Sequence, residues 1–375
     1  MSKIKILHVT AALDTGGVET LLTNYYKYFN RDDFDWSIIT MVDKNHKEGV
    51  MENNLKKMGV KVFYMPRKIP TFFQQLICFN RFLKNHHFDI IHCHVDEFNV
   101  FYLAIAKFHK IPVRISHCHI AFTHRGLIFE IISKIVKPML RLTYTHSFAC
   151  SKDAATFLYG DINHTYIMKN AINTNKFKFS IIAREKIRKQ YNLENNFVVG
   201  CVGRFHWQKN HDFLLNVFYE ILKIDHTSRL MLVGEGELKT NIVKKAKHLE
   251  ILDKIIFIGT TNEVESYLSC MDVFVLPSRY EGLGIVYIES QATNLHTFAP
   301  IEAVPHEIAI SPYMHFISNT KTPKDWALQI HNIKSLSNNR LDFNNYIEAS
   351  GYEIKNASAN LQKKYKKLIS QTFNL

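Results

Sequence analysis

The sequence predicts an α/β protein built from two doubly wound parallel-sheet, Rossmann-like domains, and three observations carry that reading. Short runs rich in β-branched and aromatic residues alternate with amphipathic segments of helical period along nearly the whole chain, the mark of repeated β-α units. The alternation breaks once, at the polar stretch 170–180, and then resumes. The 375 residues exceed the roughly 100–200 of one domain, so each half is long enough to bury its own core.

The first series opens with an apolar strand at 4–9, which runs into Gly16-Gly17 and a helix at 17–29. Strands follow at 36–40, 60–64, 90–92, 113–116, 147–149 and 166–168, with helical patterns at 51–58 and 99–108 between them. After the break, the second series reads as strand 197–202, helix 211–224, strand 229–233, helix 237–249, strand 255–258, helix 263–270, strand 272–276 and helix 285–293. A last helical pattern covers 350–372. Ligands of open parallel sheets bind beyond the carboxyl ends of the strands, which directs attention to the loops there.

Composition narrows the class. No low-complexity tract or short repeat is present, and no apolar run approaches the roughly 20 residues that span a bilayer. The start, Met1 to Val9, leads into a turn rather than a cleavage site, so it reads as a strand and places the protein on the cytoplasmic side. Six cysteines lie scattered without C-x-x-C spacing, which predicts reduced, buried thiols. A formal charge of +13 draws the chain towards anionic ligands or surfaces without choosing among them.

The chemistry concentrates in Pro277-Ser278-Arg279-Tyr280-Glu281-Gly282-Leu283-Gly284-Ile285-Val286-Tyr287-Ile288-Glu289. Two carboxylates stand eight positions apart around a glycine-bearing turn that follows a strand and opens a helix. Free N–H groups and the positive end of the helix dipole favour a diphosphate near Gly284, Ile285 and Val286. Glu281 and Glu289 can each accept hydrogen bonds from vicinal hydroxyls, one from a sugar and one from a ribose. Arg204 and Lys209 follow the strand 197–202, where a guanidinium fork and a mobile ammonium can stabilise charge on a departing phosphate in place of a metal ion. A solvated basic loop is the plain alternative. Gly17 and Gly234 sit in strand-to-helix turns where backbone can approach a ligand closely, or simply turn.

These blocks resemble the E-x7-E signature and companion motifs of the family four retaining nucleotide-sugar glycosyltransferases, which have the two-domain GT-B architecture. Gly16-Gly17-Val18-Glu19, Asp89 to His94, Gly203 to Asn210 and Leu232 to Gly236 match in order and spacing, so the resemblance runs along nearly the whole chain. It implies an acceptor domain at 1–175, a donor domain at 176–350 and a C-terminal helix at 351–375 that packs back on the first domain. Arg204 and Lys209 would bear the diphosphate, Glu289 the ribose and Glu281 the donor sugar. Related enzymes also place a histidine near the transferred sugar. The resemblance implies that role for His119 in Arg114 to His119, or for His117 in the other register.

The implied reaction moves a sugar, most simply from a UDP-sugar, to a hydroxyl of a glycan acceptor, lipid-linked by analogy with capsule and exopolysaccharide enzymes. No cofactor or metal and no nucleic-acid partner is expected. The triplets His92-Cys93-His94 and His117-Cys118-His119 invite a metal reading, which is set aside because the family works without one. Two basic, aromatic-rich segments, 64–87 with Arg67, Lys68, Arg81 and Lys84, and 127–142 with Lys134, Lys137 and Arg141, suit an anionic membrane face or simply core with solvated lysines. The rivals are another GT-B activity, such as a sugar-nucleotide epimerase or phosphorylase, and a noncatalytic basic scaffold. In Gln291 to Thr297, Asn294 stands where the family usually ends a helix with glycine and His296 where it has proline. Asparagine tolerates that left-handed cap, so the fold is expected to survive.

Overall fold

The computed structural model describes residues 2–373 apart from 14–15, 44, 47, 67–70, 122–126, 161, 336–339 and 341, with side chains described outside 127–132 and 373. Arg67 and Lys68 therefore lie outside the described residues. The chain divides into two compact units, Met1–Ala171 with Glu353–Leu375, and Ile172–Tyr352.

In the first unit, seven strands form one all-parallel sheet: β1 (Ile4–Thr10), β2 (Phe34–Thr40), β3 (Lys61–Tyr64), β4 (Ile90–Cys93), β5 (Val113–Cys118), β6 (His146–Ala149) and β7 (Thr165–Ile167), in the order β3-β2-β1-β4-β5-β6-β7. Helices α1 (Gly17–Lys27), α2 (Val50–Lys57), α3 (Phe72–Asn85), α4 (Asn99–Phe108), α5 (Leu127–Arg141) and α6 (Lys152–Tyr159) connect them. Strands covered on both faces read as continuous rather than alternating apolar runs. The stretch Ile6–Thr10 of β1 and all of β4 are accordingly buried. The order reverses between β1 and β4, and a crevice opens at the carboxyl ends of strands at such a switch point.

The second unit repeats the plan with six parallel strands, β8 (Val198–Val202), β9 (Arg229–Val233), β10 (Ile255–Gly259), β11 (Val273–Val275), β12 (His296–Pro300) and β13 (Met314–Ile317), in the order β10-β9-β8-β11-β12-β13. Its helices are α7 (Ile181–Gln190), α8 (His211–Ile224), α9 (Lys239–His248), α10 (Val264–Cys270), α11 (Ile285–Ala292), α12 (Pro323–His331) and α13 (Asn344–Ala349). Here the reversal falls between β8 and β11. Asp272, buried just ahead of β11, receives Arg184 and Arg188 of α7 at 2.5 Å each and the Val198 amide at 2.7 Å. That carboxylate ties the helix preceding the sheet to both central strands.

The chain then returns to the first unit as α14 (Ile354–Phe373), burying Leu361, Tyr365 and Leu368 in a core shared with Leu21, Tyr25, Phe29 and Trp36. The unit boundaries fall at 171/172 and 352/353 rather than after 175 and 350. Ile172 and Thr174 are buried, and the Ile172 amide donates to Tyr352 O at 2.8 Å, so the start of the polar stretch belongs to the second unit's core. Asn294 adopts φ 56°, the left-handed cap expected of it.

Candidate functional site

The loop after β8 is shaped by contact with the loop after β9. Gly203 N–H donates to Val233 O at 2.9 Å and Phe205 N–H to Glu235 O at 2.9 Å. Gly234 has φ +141°, and a Cβ there would stand 2.1 Å from Gly203 O. Glycine is thus needed for the close approach to the loop of another strand. Beyond it, a single 3-10 turn at Trp207–Lys209 ends at Asn210, which has φ 54°, and aims Lys209 towards β11.

The loop after β11 is laced to that turn. Arg279 N–H donates to Gln208 O at 2.7 Å, Gln208 Nε2 donates to Tyr280 O at 2.9 Å, and Glu281 N–H donates to Ala303 O at 2.8 Å. The Glu281 carboxylate is buried. Its Oε1 accepts from Lys209 Nζ at 2.6 Å and Ser278 Oγ at 2.7 Å, and its Oε2 accepts from Gln208 Nε2 at 3.3 Å. Lys209 and Glu281, placed 72 residues apart in sequence, therefore form one charged pair at the switch point. Ser278 and Gln208, its neutral partners, were not singled out in the sequence; Gln208 adjoins Lys209 and Ser278 lies three positions before Glu281, yet only the loop lacing reveals the role.

Gly284 caps α11 with φ +79°, and a Cβ would meet the Tyr287 ring at 2.6 Å. Glycine is required there, because the buried Tyr287 hydroxyl donates to Leu276 O at 2.7 Å and holds the ring in place. The amides of Ile285 and Val286 lie in the first turn of α11, where N–H groups have no intrahelical acceptor and the dipole is positive. Glu289 stands four residues after Ile285 on the same face. It is half-buried, and among the described residues its carboxylate has no hydrogen-bond partner. Burial pushes its carboxyl up to about 7, with Glu265 adding in the same direction and Lys176 opposing. Lys176 Nζ is committed to Glu265 Oε2 at 3.1 Å. Arg204 stands apart from this group, an exposed side chain 3.6 Å from Glu237.

His119 and Gly17 belong to the first unit. Gly17 begins α1, and a Cβ on it would meet nothing within 4 Å, so the packing of this unit alone does not require glycine there. His119 is one of five imidazoles gathered at the β1/β4/β5 strand ends. His94 Nδ1 lies 2.9 Å from His119 Nε2, His94 Nε2 3.0 Å from His8 Nδ1, and His92 Nε2 3.0 Å from His117 Nδ1. The Tyr365 hydroxyl of α14 meets His92 Nδ1 at 2.6 Å. Burial holds all five well below the ordinary imidazole value, His8 and His119 at about 3. His8 and Tyr365 carried no signal in the sequence; the register that sets His8 opposite His92 brings the first in, and the return of α14 the second.

Of the two basic segments, α3 exposes Phe73 and Ile77, and α5 exposes Ile135 and Met139, with Leu142 just beyond. Two of the α5 cations are tied to backbone carbonyls. Lys137 Nζ donates to Phe157 O at 2.6 Å and Arg141 to Tyr159 O at 2.6 Å. No helix among the described residues is long and apolar enough to cross a membrane.

Two family models match in tandem, "Glycosyltransferase Family 4" over residues 15–176 and "Glycosyl transferases group 1" over 183–350. The chain is 27% identical over 304 residues to a putative glycosyltransferase, EpsF, of Bacillus subtilis, covering 78% of each chain. It is 26% identical over 319 residues to the Escherichia coli UDP-Gal:alpha-D-GlcNAc-diphosphoundecaprenol alpha-1,3-galactosyltransferase, again with 78% of each covered. The capsular polysaccharide glycosyltransferase CapH of Staphylococcus aureus is 26% identical over 298 residues, covering 78% of this chain and 79% of CapH. Among solved structures, HepE of Anabaena in complex with UDP and glucose superposes with a TM-score of 0.80 at 16% identity, covering 97% of this chain and 99% of that one.

Proposed function

Because the chain belongs to the family 4-type glycosyltransferases of the GT-B fold, we propose that it is a retaining enzyme that moves a sugar from a nucleoside diphosphate, UDP first among them, to a hydroxyl of a lipid-linked glycan. The observation that carries this reading is the Lys209–Glu281 pair beside the α11 N-terminus, with the unpartnered Glu289 one turn further on. Cation and helix dipole suit a diphosphate, and a free carboxylate suits two vicinal hydroxyls. Lys209 retains two further ammonium hydrogens for phosphate oxygens. Arg204, exposed on its flexible stem, reaches the same anion from the solvent side. The cationic pair and helix end then bear the charge of the leaving group with no metal between them.

Glu281 is poorly placed to attack as a nucleophile, since Lys209 and Ser278 hold Oε1 and the Gln208 amide contacts Oε2. Its Oε2, with one long contact, is the oxygen left to accept from a sugar hydroxyl. Glu289 takes the ribose hydroxyls, and the family resemblance assigns His119 to the transferred sugar. The departing phosphate oxygen then takes the proton of the acceptor hydroxyl as the new glycosidic bond forms on the face it leaves. The acceptor class follows the E. coli relative, whose name specifies a diphosphoundecaprenol-linked sugar, and capsule or exopolysaccharide assembly follows CapH. The exposed apolar residues of α3 and α5 support peripheral docking on an anionic inner membrane face.

The test is a panel of nucleotide sugars incubated with the protein and a membrane lipid extract, following nucleoside diphosphate release. Release from one donor, reduced by about 100-fold or more in Glu281→Ala and Arg204→Ala, is the expected result. Release unaffected by both substitutions would remove these residues from the reaction.

A further inference from the structure

We propose that the first unit holds a borderline divalent transition metal, of the Zn²⁺ kind, on His94, His117 and His119. This inference departs from the metal-free expectation drawn from the sequence. It stands on the first unit alone and does not rest on the transferase reading.

The five imidazoles divide into two chains of nitrogen contacts. One runs His8, His94, His119, and the other Tyr365, His92, His117. Two trios place one nitrogen from each member within 4.8 Å of the others, His8/His92/His94 and His94/His117/His119. Hydrogen-bond commitments choose between them. Both nitrogens of His92 are taken, by Tyr365 and His117, so the first trio would have to break a bond that orients the second. In the second trio, His117 spends Nδ1 on His92, and among the described residues its buried Nε2 has no partner; His8 Nε2 in the first trio is orphaned in the same way, so it is the double commitment of His92 that favours the second. An orphaned buried nitrogen is costly, which makes it an observation that calls for a ligand. The same trio contains the His94 Nδ1 to His119 Nε2 contact at 2.9 Å. Zinc–nitrogen bonds of about 2.0–2.1 Å set tetrahedral ligand atoms about 3.3–3.4 Å apart. The trio therefore has to open one contact by a few tenths of an ångström and close the others by modest ring rotations.

The surrounding groups complete the case. A metal-bound imidazole usually donates its other N–H to a fixed acceptor, which sets the tautomer and the ring plane. His94 Nε2 faces His8 Nδ1, and His117 Nδ1 faces His92 Nε2, whose own Nδ1 is anchored by Tyr365. The His119 amide is held by Asp96 Oδ1 at 2.8 Å, which fixes the one half-buried ligand. Three nitrogen ligands leave a fourth tetrahedral position for water or a hydroxyl.

The experiment titrates purified, chelator-stripped protein with Co²⁺ and then Zn²⁺, reading visible d–d absorption, metal content by mass spectrometry and fold by circular dichroism. One Co²⁺ per chain with a tetrahedral spectrum, displaced by Zn²⁺, is the expected outcome. His119→Ala, at the edge of the cluster, keeps the fold and loses the spectrum. His8→Phe preserves ring shape but weakens binding by about 10–100-fold. A folded protein without Co²⁺ absorption overturns the proposal, as does binding that survives in folded His119→Ala. If His117→Ala does not fold, the His119→Ala result decides.

Discussion

Glu289, the proposed ribose-binding carboxylate, carries a cost in stability. Its carboxyl is raised from 4.5 to about 7, so the folded state binds that proton more tightly than the unfolded state. Stability contributed by this proton is full below pH 4.5 and is lost as pH rises through 7, where the bare carboxylate is left in a half-buried site. Glu289→Gln should therefore raise the melting temperature at pH 8, with the gain shrinking to nothing near pH 4.5, while weakening nucleoside diphosphate binding about 10-fold or more. Thermal melts at the two pH values check the sign, and an equal effect at both would remove the burial argument. At this scale the sequence was most legible where a residue type has one use. Glu281, Lys209, Gly284 and Glu289 were all named from spacing and chemistry. Gly234 makes a close backbone approach to Gly203, and the Arg204 side chain is exposed beside Glu237.

Among the elements, apolar strands were legible even when short, while polar or charged segments were not. Helix α7, IIAREKIRKQ, has too narrow an apolar face to stand out, and what holds it is charge. Arg184 and Arg188 reach Asp272, and Ser180 caps its first turn at the Ala183 amide. Strands β12 and β13 are only five and four residues long, and β12 carries histidine, threonine and proline in fully buried positions. Helix α12 did carry a signal, since Thr322 and Asp325 form a capping box around Pro323 at the first position. The Asp272 anchor is the part most open to test. Asp272→Asn leaves two guanidinium groups, both largely buried, without their counter-charge, and should cost about 3–5 kcal/mol. Urea denaturation reads this as a lower midpoint at unchanged slope. A loss below about 1 kcal/mol would mean that α7 is held by its few apolar contacts instead.

For the whole molecule, the two-unit plan followed from the single break in the β-α alternation, and the return of the chain followed from the family resemblance. The physical reason for that return lies in packing. Leu361, Tyr365 and Leu368 are almost completely buried in the first unit, worth about 1.5–3 kcal/mol each. The histidine cluster was half legible, because the two triplets were visible in the sequence while His8 and Tyr365 needed the sheet register and the returning helix. The central claim is that the second unit is a nucleoside diphosphate site made from Lys209, Arg204, the α11 N-terminus and Glu289. The most direct test is a calorimetric titration with UDP, GDP and ADP in the presence of EDTA, on wild type, Lys209→Met and Glu289→Ala. One bound nucleotide per chain is expected, tightest for UDP and weakened about 10–100-fold in each variant. Absence of binding by all three nucleotides, or binding unchanged in both variants, would contradict it.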